Sequence, residues 1–122
     1  MPQKILIVED DKFLRKLVVE KFKQENFEVI EAADGEQGLK KIKEEKPNIV
    51  LLDLTLPKKD GFQVLSEIKG DKDISSIPVI IFSNLGQREE MEKASKLGAA
   101  DYLIKAHFTP NEIVEKVKAN IR

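Results

Sequence analysis

The chain has 122 residues, of which 41% are hydrophobic and 35% are charged. Its 21 basic and 22 acidic side chains leave a formal net charge of −1 at pH 7. This length and composition indicate one globular domain and exclude a disordered chain. A charge so close to zero gives no electrostatic case for binding nucleic acid or an acidic membrane. With no cysteine and one histidine, the chain cannot form disulfides, thiolate zinc sites or polyhistidine metal sites.

The apolar runs of the sequence are short. None reaches the roughly 18 residues that a membrane helix needs. The run near the start, Ile5 to Val8, is too short for the core of a signal peptide, and acidic residues follow it at once. We therefore expect a cytoplasmic protein that does not contact a membrane.

Strand-like and helix-like segments alternate along the chain. Continuous apolar runs predict strands that are buried on both faces, at residues 5–8, 27–30, 49–52, 79–82 and 102–104. Apolar residues at helical spacing predict five helices between and after these strands. The first, over 12–25, contains Leu14, Leu17, Val18 and Phe22; the second contains Leu39 and Ile42; the third contains Phe62, Leu65 and Ile68; the fourth contains Met91, Ala94 and Leu97; and the fifth contains Ile113, Val117 and Ile121. Asp11 is the better candidate to cap the first helix, and Thr109 to Glu112 forms a capping box before the last.

Five strands that alternate with helices predict an α/β fold with a parallel sheet and helices on both faces. Right-handed crossovers leave few topologies for such a chain. The common solution at this size is a doubly wound five-stranded sheet in the order 2-1-3-4-5, the flavodoxin-like (βα)5 arrangement. Periodicity alone leaves a different α/β arrangement open.

Polar residues follow the strands where each strand ends. Glu9 and Asp10 follow the first strand, Asp53 the third, Ser83 ends the fourth, and Lys105 follows the fifth. In an open α/β sheet, ligands bind outside the carboxyl ends of the strands, at the point where the strand order reverses. In the order 2-1-3-4-5, that point lies between strands one and three. We therefore expect these side chains to share one crevice.

The residue types in this crevice suit phosphoryl chemistry. Two or three carboxylates without nitrogen or sulfur ligands suit Mg²⁺. A lysine and a hydroxyl suit a phosphoryl group, and an aspartate can itself attack phosphorus to give an acyl phosphate. Crowded carboxylates are also expected to raise one another's pKa unless a cation lies between them. The pattern predicts phosphoryl transfer to an aspartate, with Mg²⁺ neutralising charge.

These residues resemble the receiver domain of two-component response regulators, of the single-domain type found in chemotaxis regulators. The resemblance rests on Ile5 to Asp11, Asp53 with Pro57 and Asp60-Gly61, Ser83, and Tyr102 to Lys105. We expect residues 1–122 to form one receiver domain with no output domain in this chain; a receiver excised from a longer regulator is the alternative. The resemblance implies that Asp53 is the phospho-acceptor, that Lys105 and Ser83 contact the phosphoryl group, and that Tyr102 is the switch aromatic. It also implies a Mg²⁺ site formed by Asp10, Asp53, the backbone carbonyl of Thr55 and, largely through water, Glu9.

The resemblance further implies a partner and an output. The phosphoryl donor would be a histidine kinase or a phosphotransfer protein, and the fourth helix, fifth strand and fifth helix would form the signalling surface. We expect a monomer or weak homodimer that does not bind nucleic acid directly, and that assists its own phosphorylation and dephosphorylation without being a metabolic enzyme.

Two positions depart from the family's usual pattern. The family commonly has a proline in a cis peptide after the lysine, where this chain has Ala106. A cis bond without proline costs about 3–4 kcal/mol, so the isomer of the Lys105–Ala106 bond is left open. The residue after the switch hydroxyl is usually small, and here it is Asn84.

Two other functions remain as alternatives. A phosphohydrolase with an aspartate nucleophile typically has a second acid two residues later, a position that Thr55 occupies here. A receiver-like binding module that has lost phosphorylation would not need the acids and the lysine.

His107, in the loop before the last helix, is expected to face solvent.

Overall fold

The computed structural model of the protein describes residues 2–121. The strands are β1 (Lys4–Val8), β2 (Glu28–Ala32), β3 (Ile49–Leu52), β4 (Val79–Ser83) and β5 (Asp101–Ile104). The helices are α1 (Lys12–Gln24), α2 (Gly35–Glu45), α3 (Gly61–Gly70), α4 (Arg88–Lys96) and α5 (Pro110–Asn120), with a short 3-10 turn over Lys105–His107. None of the helices in this part of the chain is long and apolar enough to cross a bilayer.

All five strands lie parallel in one sheet, in the order β2-β1-β3-β4-β5. The predicted doubly wound α/β fold is therefore confirmed, including its strand order. β1 and β3 are neighbours, and Val8 pairs with Leu52 at their carboxyl ends. The strand order reverses between these two strands, so the residues that follow them lie at the switch point of the sheet.

Each face of the sheet has its own hydrophobic core, because side chains alternate along a strand. One face is covered by α1 and α5; this α1/α5 core includes Ile5 and Phe22. The other face is covered by α2, α3 and α4; this α2–α4 core includes Leu6 and Leu65. Full burial of one such side chain stabilises the fold by about 1.5–3 kcal/mol. The two cores together fix the positions of the strands whose ends form the switch point.

The helices α1 and α5 begin at capping residues that the sequence predicts. Asp11 Oδ1 accepts a hydrogen bond from the Leu14 amide at 3.1 Å. At the start of α5, Thr109 Oγ1 accepts from the Glu112 amide at 3.3 Å, and Glu112 Oε1 accepts from the Thr109 amide at 2.9 Å. These bonds satisfy amides that the first turn of a helix leaves without partners. Asp11 thus serves as the cap of α1.

The structure differs from the sequence prediction at the bounds of several elements and at two helix faces. β2 begins at Glu28, because the Phe27 amide donates to the Phe22 carbonyl of α1 at 3.0 Å. The Phe27 ring packs edge-on against Phe22, with ring centroids 5.0 Å apart. Leu17, predicted on the buried face of the first helix, is 49% exposed, and Met91 is also exposed. Successive helical residues point about 100° apart, so the residue after Leu17 takes the inward direction.

Candidate functional site

Three charged side chains at the carboxyl edge of the sheet are brought together by strand pairing. Glu9 follows β1 and Asp53 follows β3, and the Asp53 amide donates to the Val8 carbonyl at 3.1 Å. Glu9 and Asp53 are only 2% and 4% exposed. Lys105 follows β5 and reaches over the end of β4 to meet them. Glu9, Asp53 and Lys105 therefore lie together at this edge, as expected from the strand order.

Lys105 lies between the two buried carboxylates. Its Nζ atom is 3.0 Å from Asp53 Oδ2 and 2.6 Å from Glu9 Oε1. The contact with Asp53 is a hydrogen bond, whereas Glu9 Oε1 has no partner in hydrogen-bonding geometry. The same Nζ is 5.6 Å from the centroid of the Phe82 ring. One ammonium group therefore faces two buried carboxylates, and its charge can offset only one of theirs.

The acidic residues fit a Mg²⁺ ion. Glu9, Asp10 and Asp53 each offer a carboxylate oxygen within 4.8 Å of the others. Asp10 is exposed, so an ion at this place can keep water ligands, and the buried Glu9 Oε1 still lacks a hydrogen-bond partner. Mg²⁺ takes oxygen ligands, retains several waters and needs few carboxylates. Thr55, whose carbonyl is the further predicted ligand, donates its amide to Asp53 Oδ1 at 3.2 Å.

Burial and neighbouring charges alter the pKa values of two groups in the crevice. Burial raises the pKa of Glu9 to about 7, and the nearby Asp53 charge adds to this rise, although Lys105 and the Asp11 amide oppose it. Burial lowers the pKa of Lys105, but its contacts with Glu9 and Asp53 outweigh burial and hold the pKa above its usual value. Lys105 is thus a permanent cation, while Glu9 takes up a proton near neutral pH.

Ser83 and Tyr102 are joined through the peptide groups of Leu85. Ser83 is fully buried, and its Oγ accepts a hydrogen bond from the Leu85 amide at 3.1 Å. Tyr102 is half-buried, and its hydroxyl donates to the Leu85 carbonyl. Burial raises the pKa of Tyr102, and the charge of Glu90 adds to it. A movement of the Ser83 side chain would therefore be transmitted to Tyr102 through Leu85, in the loop between β4 and α4.

The remaining predicted positions lie around this group. Asn84 is exposed beside Ser83, and His107 is exposed as predicted. The Lys105–Ala106 peptide is trans. Lys105 therefore reaches Asp53 without the cis bond that is common in the family.

One residue at the site was missed by the sequence prediction. Arg15, on α1, donates to the carbonyl oxygen of Glu9. Its position in the sequence carries no motif, because a helical arginine one turn after an acidic loop is usually a solvated surface residue. Only the path of the chain between β1 and α1 shows that it turns back toward Glu9.

Comparisons with known proteins agree with this geometry. The family model for the response regulator receiver domain matches residues 5–118. The phosphate regulon transcriptional regulatory protein PhoB of Escherichia coli is 33% identical over the whole chain, which covers 53% of that protein. The alkaline phosphatase synthesis transcriptional regulatory protein PhoP of Bacillus subtilis is 34% identical, and the chain covers 50% of it. The chain thus spans about half the length of these curated relatives.

Solved structures share the whole fold. A CheX–CheY–BeF3–Mg²⁺ complex from Borrelia burgdorferi contains a chain that is 32% identical, with a TM-score of 0.89 and coverage of 98% of this chain and 89% of that one. The Mn²⁺-bound form of response regulator Rcp1 is also 32% identical, with a TM-score of 0.85 and coverage of 98% and 94%. The match over residues 5–118, together with the shared fold, shows that the chain belongs to the response regulator receiver domain family of two-component signalling proteins.

Proposed function

We propose that the chain is a Mg²⁺-dependent phospho-acceptor switch, which takes a phosphoryl group onto Asp53 from a histidine kinase or a phosphotransfer protein. The observation that carries this proposal is the buried Asp53 carboxylate, paired at 3.0 Å with Lys105 and adjacent to the acids Glu9 and Asp10. A structural acid at the end of a strand would not need two further acids and a buried lysine around it.

The transfer is an in-line displacement at phosphorus. A carboxylate oxygen of Asp53 forms a bond to phosphorus, and the bond from phosphorus to the donor breaks, with its electron pair leaving on the donor. The product is an acyl phosphate. The Lys105 ammonium, 3.0 Å from Asp53 Oδ2, is placed to pair with the phosphoryl oxygens as charge develops on them.

The divalent ion would be held by Asp10 and Asp53 directly, by the Thr55 carbonyl, and by Glu9 largely through water. When bound, Mg²⁺ supplies positive charge that neutralises the phosphoryl oxygens. Around it, Lys105 holds the Asp53 carboxylate on one side, and the Thr55 amide holds it on the other. The attacking carboxylate is therefore oriented before the donor arrives.

An apolar surface on α1 suits a protein donor. Phe13 is 82% exposed and Leu17 lies one turn later on the same helix, also exposed. This helix starts at the acidic loop, so a protein that delivers its phosphohistidine to Asp53 would reach this surface. Exposed aromatic residues at such positions are common anchors of protein interfaces. Lys12 and Lys16 beside them favour an acidic partner surface.

The output follows from the connection between Ser83 and Tyr102. Once Asp53 carries a phosphoryl group, the Ser83 hydroxyl donates to a phosphoryl oxygen and moves away from the Leu85 amide. The loop before α4 shifts with it, and Tyr102 loses its partner on the Leu85 carbonyl. The surface of α4, β5 and α5 then changes, and a downstream protein reads it. Two states that differ by a few kcal/mol suffice for this switch.

The acyl phosphate limits the duration of the signal. Water hydrolyses it, returning Asp53 and inorganic phosphate, and the same charged groups that assist its formation assist this step. Receiver domains are signalling domains rather than metabolic enzymes. We therefore expect slow self-dephosphorylation and no turnover of general phosphomonoesters.

The test is the intact mass of the protein after incubation with acetyl phosphate and Mg²⁺. Wild type should gain the mass of one phosphoryl group, and the gain should disappear when EDTA replaces Mg²⁺. Asp53→Asn should show no adduct. Asp73→Asn, the same change at an exposed residue after α3, should behave as wild type.

Beryllofluoride complements this test as a stable mimic of the acyl phosphate. With Mg²⁺, it should shift the NMR signals of Ser83, Leu85 and Tyr102 in wild type but not in Asp53→Asn. No adduct, no response to beryllofluoride and no binding of Mg²⁺ would refute the proposal. Rapid turnover of a general phosphomonoester would instead point to a phosphohydrolase.

A further inference from the structure

Arg15 contacts the backbone of the acidic loop. Its Nη1 atom donates to the carbonyl oxygen of Glu9 at 2.7 Å, and its Nε atom donates to Glu31 Oε1 at 3.1 Å. The side chain is only 16% exposed, although it lies on the first turns of a surface helix. A guanidinium offers several donors in a fixed plane, so both bonds are made in one rigid orientation.

The backbone of Glu9 is held from both sides. Its amide donates to the carbonyl of Ala32 at 3.0 Å, and its carbonyl accepts from Arg15. The carbonyl of Glu9 and the amide of Asp10 belong to one planar peptide group. Fixing this carbonyl therefore fixes the directions in which the Glu9 and Asp10 side chains leave the backbone. Glu9 points into the buried crevice, and Asp10 remains exposed at its rim.

Arg15 is itself firmly anchored. Its own amide donates to the carbonyl of Asp11 at 2.8 Å within the first turn of α1. Its partner Glu31 lies at the end of β2, where the Lys41 ammonium donates to the Glu31 carbonyl at 2.7 Å. The guanidinium thus connects the acidic loop to α1 and to the end of β2. The loop between β1 and α1 cannot change its path without breaking this connection.

We propose that Arg15 is a positioning residue for the metal site: it sets the geometry of Glu9 and Asp10 through the Glu9 carbonyl, and thereby sets the affinity for Mg²⁺. This inference rests on the proposed function. Partners that orient metal ligands without touching the metal typically change metal affinity by about 10–100-fold when they are removed. Loss of Arg15 should therefore weaken Mg²⁺ binding in a protein that still folds.

A purely structural role predicts a different outcome. If Arg15 only tied α1 to β2 through Glu31, its loss would lower stability and leave the Mg²⁺ affinity of the folded protein unchanged. Glu31→Gln would then have the same effect as the loss of Arg15. The two roles are separable because Glu31→Gln removes the ion pair and retains the bond from Arg15 to the Glu9 carbonyl.

The experiment compares Mg²⁺ titrations by NMR, at constant ionic strength, with thermal unfolding in EDTA. Arg15→Met should raise the Kd for Mg²⁺ at least 10-fold, and Arg15→Lys should raise it about threefold, because one donor remains. Glu31→Gln should stay within twofold of wild type. Arg88→Met removes an exposed arginine from α4, which pairs with Glu92, and should also stay within twofold.

Phosphorylation by acetyl phosphate gives a second measurement. In Arg15→Met, the Mg²⁺ concentration for half-maximal rate should rise with the Kd, while the rate at saturating Mg²⁺ stays near wild type. An Arg15→Met protein with an unchanged Kd would overturn the inference, even if its melting temperature fell. If that variant does not fold, the Kd for Mg²⁺ of Arg15→Lys is compared with that of Glu31→Gln. Equal values of Kd for these two variants would overturn the inference. Failure of wild type to bind Mg²⁺ would instead refute the proposed function.

Discussion

At the scale of single residues, the site brings one ammonium group together with three carboxylates. Lys105 contacts both Glu9 and Asp53, so it balances part of the charge that a divalent ion would otherwise balance. Glu9 is the most buried of the three acids. Its burial raises its pKa to about 7, and the nearby Asp53 charge adds to this rise. The site is thus strained electrostatically above neutral pH, and a cation relieves it.

Glu9→Gln should remove this strain and with it a pH dependence of stability. The pKa of Glu9 is about 7 in the folded protein, against the ordinary value of 4.5 for a solvated glutamate, so the folded state binds more protons between these values. Protonated Glu9 therefore contributes to the stability of the folded state fully below pH 4.5, and this contribution is lost as the pH rises through 7. We therefore expect the free energy of unfolding of Glu9→Gln, measured in EDTA and relative to that of wild type, to rise by about 1–3 kcal/mol from pH 5 to pH 8.

Urea unfolding followed by circular dichroism measures this difference. The glutamine can still accept the bond from the Asp11 amide that Glu9 Oε2 accepts at 3.1 Å, so the local hydrogen bonding is retained. Glu36→Gln, at an exposed acid in the first turn of α2, is the matched control and should show no such gain with pH. A difference between Glu9→Gln and wild type that stays constant over this range would contradict the argument.

The sequence predicts which side chains lie together where a strand end determines the position. Asp53 and Lys105 follow buried apolar runs, so the parallel sheet alone brings them to one edge. The contact of Arg15 with the Glu9 carbonyl could not be predicted, because it depends on how a loop turns rather than on a periodic pattern. The exposure of Leu17 was missed for a related reason: helical spacing defines an apolar face, but only packing decides where that face ends.

At the scale of elements, the start of α3 controls the peptide that follows Asp53. The Gly61 amide donates to the Leu54 carbonyl at 2.9 Å, which closes the loop between β3 and α3. A Cβ atom on Gly61 would lie 2.3 Å from the Asp53 carbonyl oxygen and 2.6 Å from Leu54 Cα. Both neighbours are backbone atoms, so no side-chain rotation can relieve the clash. A glycine is required here by space rather than by an unusual φ angle.

Two glycines at opposite ends of α3 give a matched pair of substitutions. Gly61→Ala should lower stability by about 3 kcal/mol or more, because the backbone must move to admit the methyl group. It should also slow phosphorylation of the folded protein, since the peptide that moves belongs to Asp53. Gly70→Ala, at the last residue of α3, meets no atom within 4 Å and should stabilise by about 0.5–1 kcal/mol.

Urea denaturation gives the stability of both variants, and intact mass against time gives the phosphorylation rate. The rate is compared under conditions where each variant is fully folded. A Gly61→Ala protein that is as stable and as fast as wild type would show that the loop yields freely. In that case the close packing at the start of α3 does not hold Asp53 in place.

At the scale of the whole molecule, α4 is the helix with the weakest attachment. Ala94 is its only buried residue, whereas α1 and α5 each bury three. The Lys93 Nζ atom of α4 lies 4.3 Å from the centroid of the Phe62 ring, a surface contact that is individually weak. The loop before α4 is held at Leu85, whose carbonyl accepts from the Tyr102 hydroxyl and whose amide donates to Ser83 Oγ. An element held this way can move without disturbing the two cores.

Hydrogen exchange should therefore separate α4 from the rest of the fold. Amides of α4 should exchange by local opening, at least 100-fold faster than amides of β3, which open only with global unfolding. Val117→Ala tests this separation, because Val117 is fully buried in the α1/α5 core, on the face of the sheet opposite α4. Losing about 1–3 kcal/mol of global stability should speed exchange in β3 about 5–150-fold and leave α4 amides unchanged. If α4 amides accelerated in parallel with β3, α4 would open only with the whole molecule, and a switch that moves α4 alone would not be available to this fold.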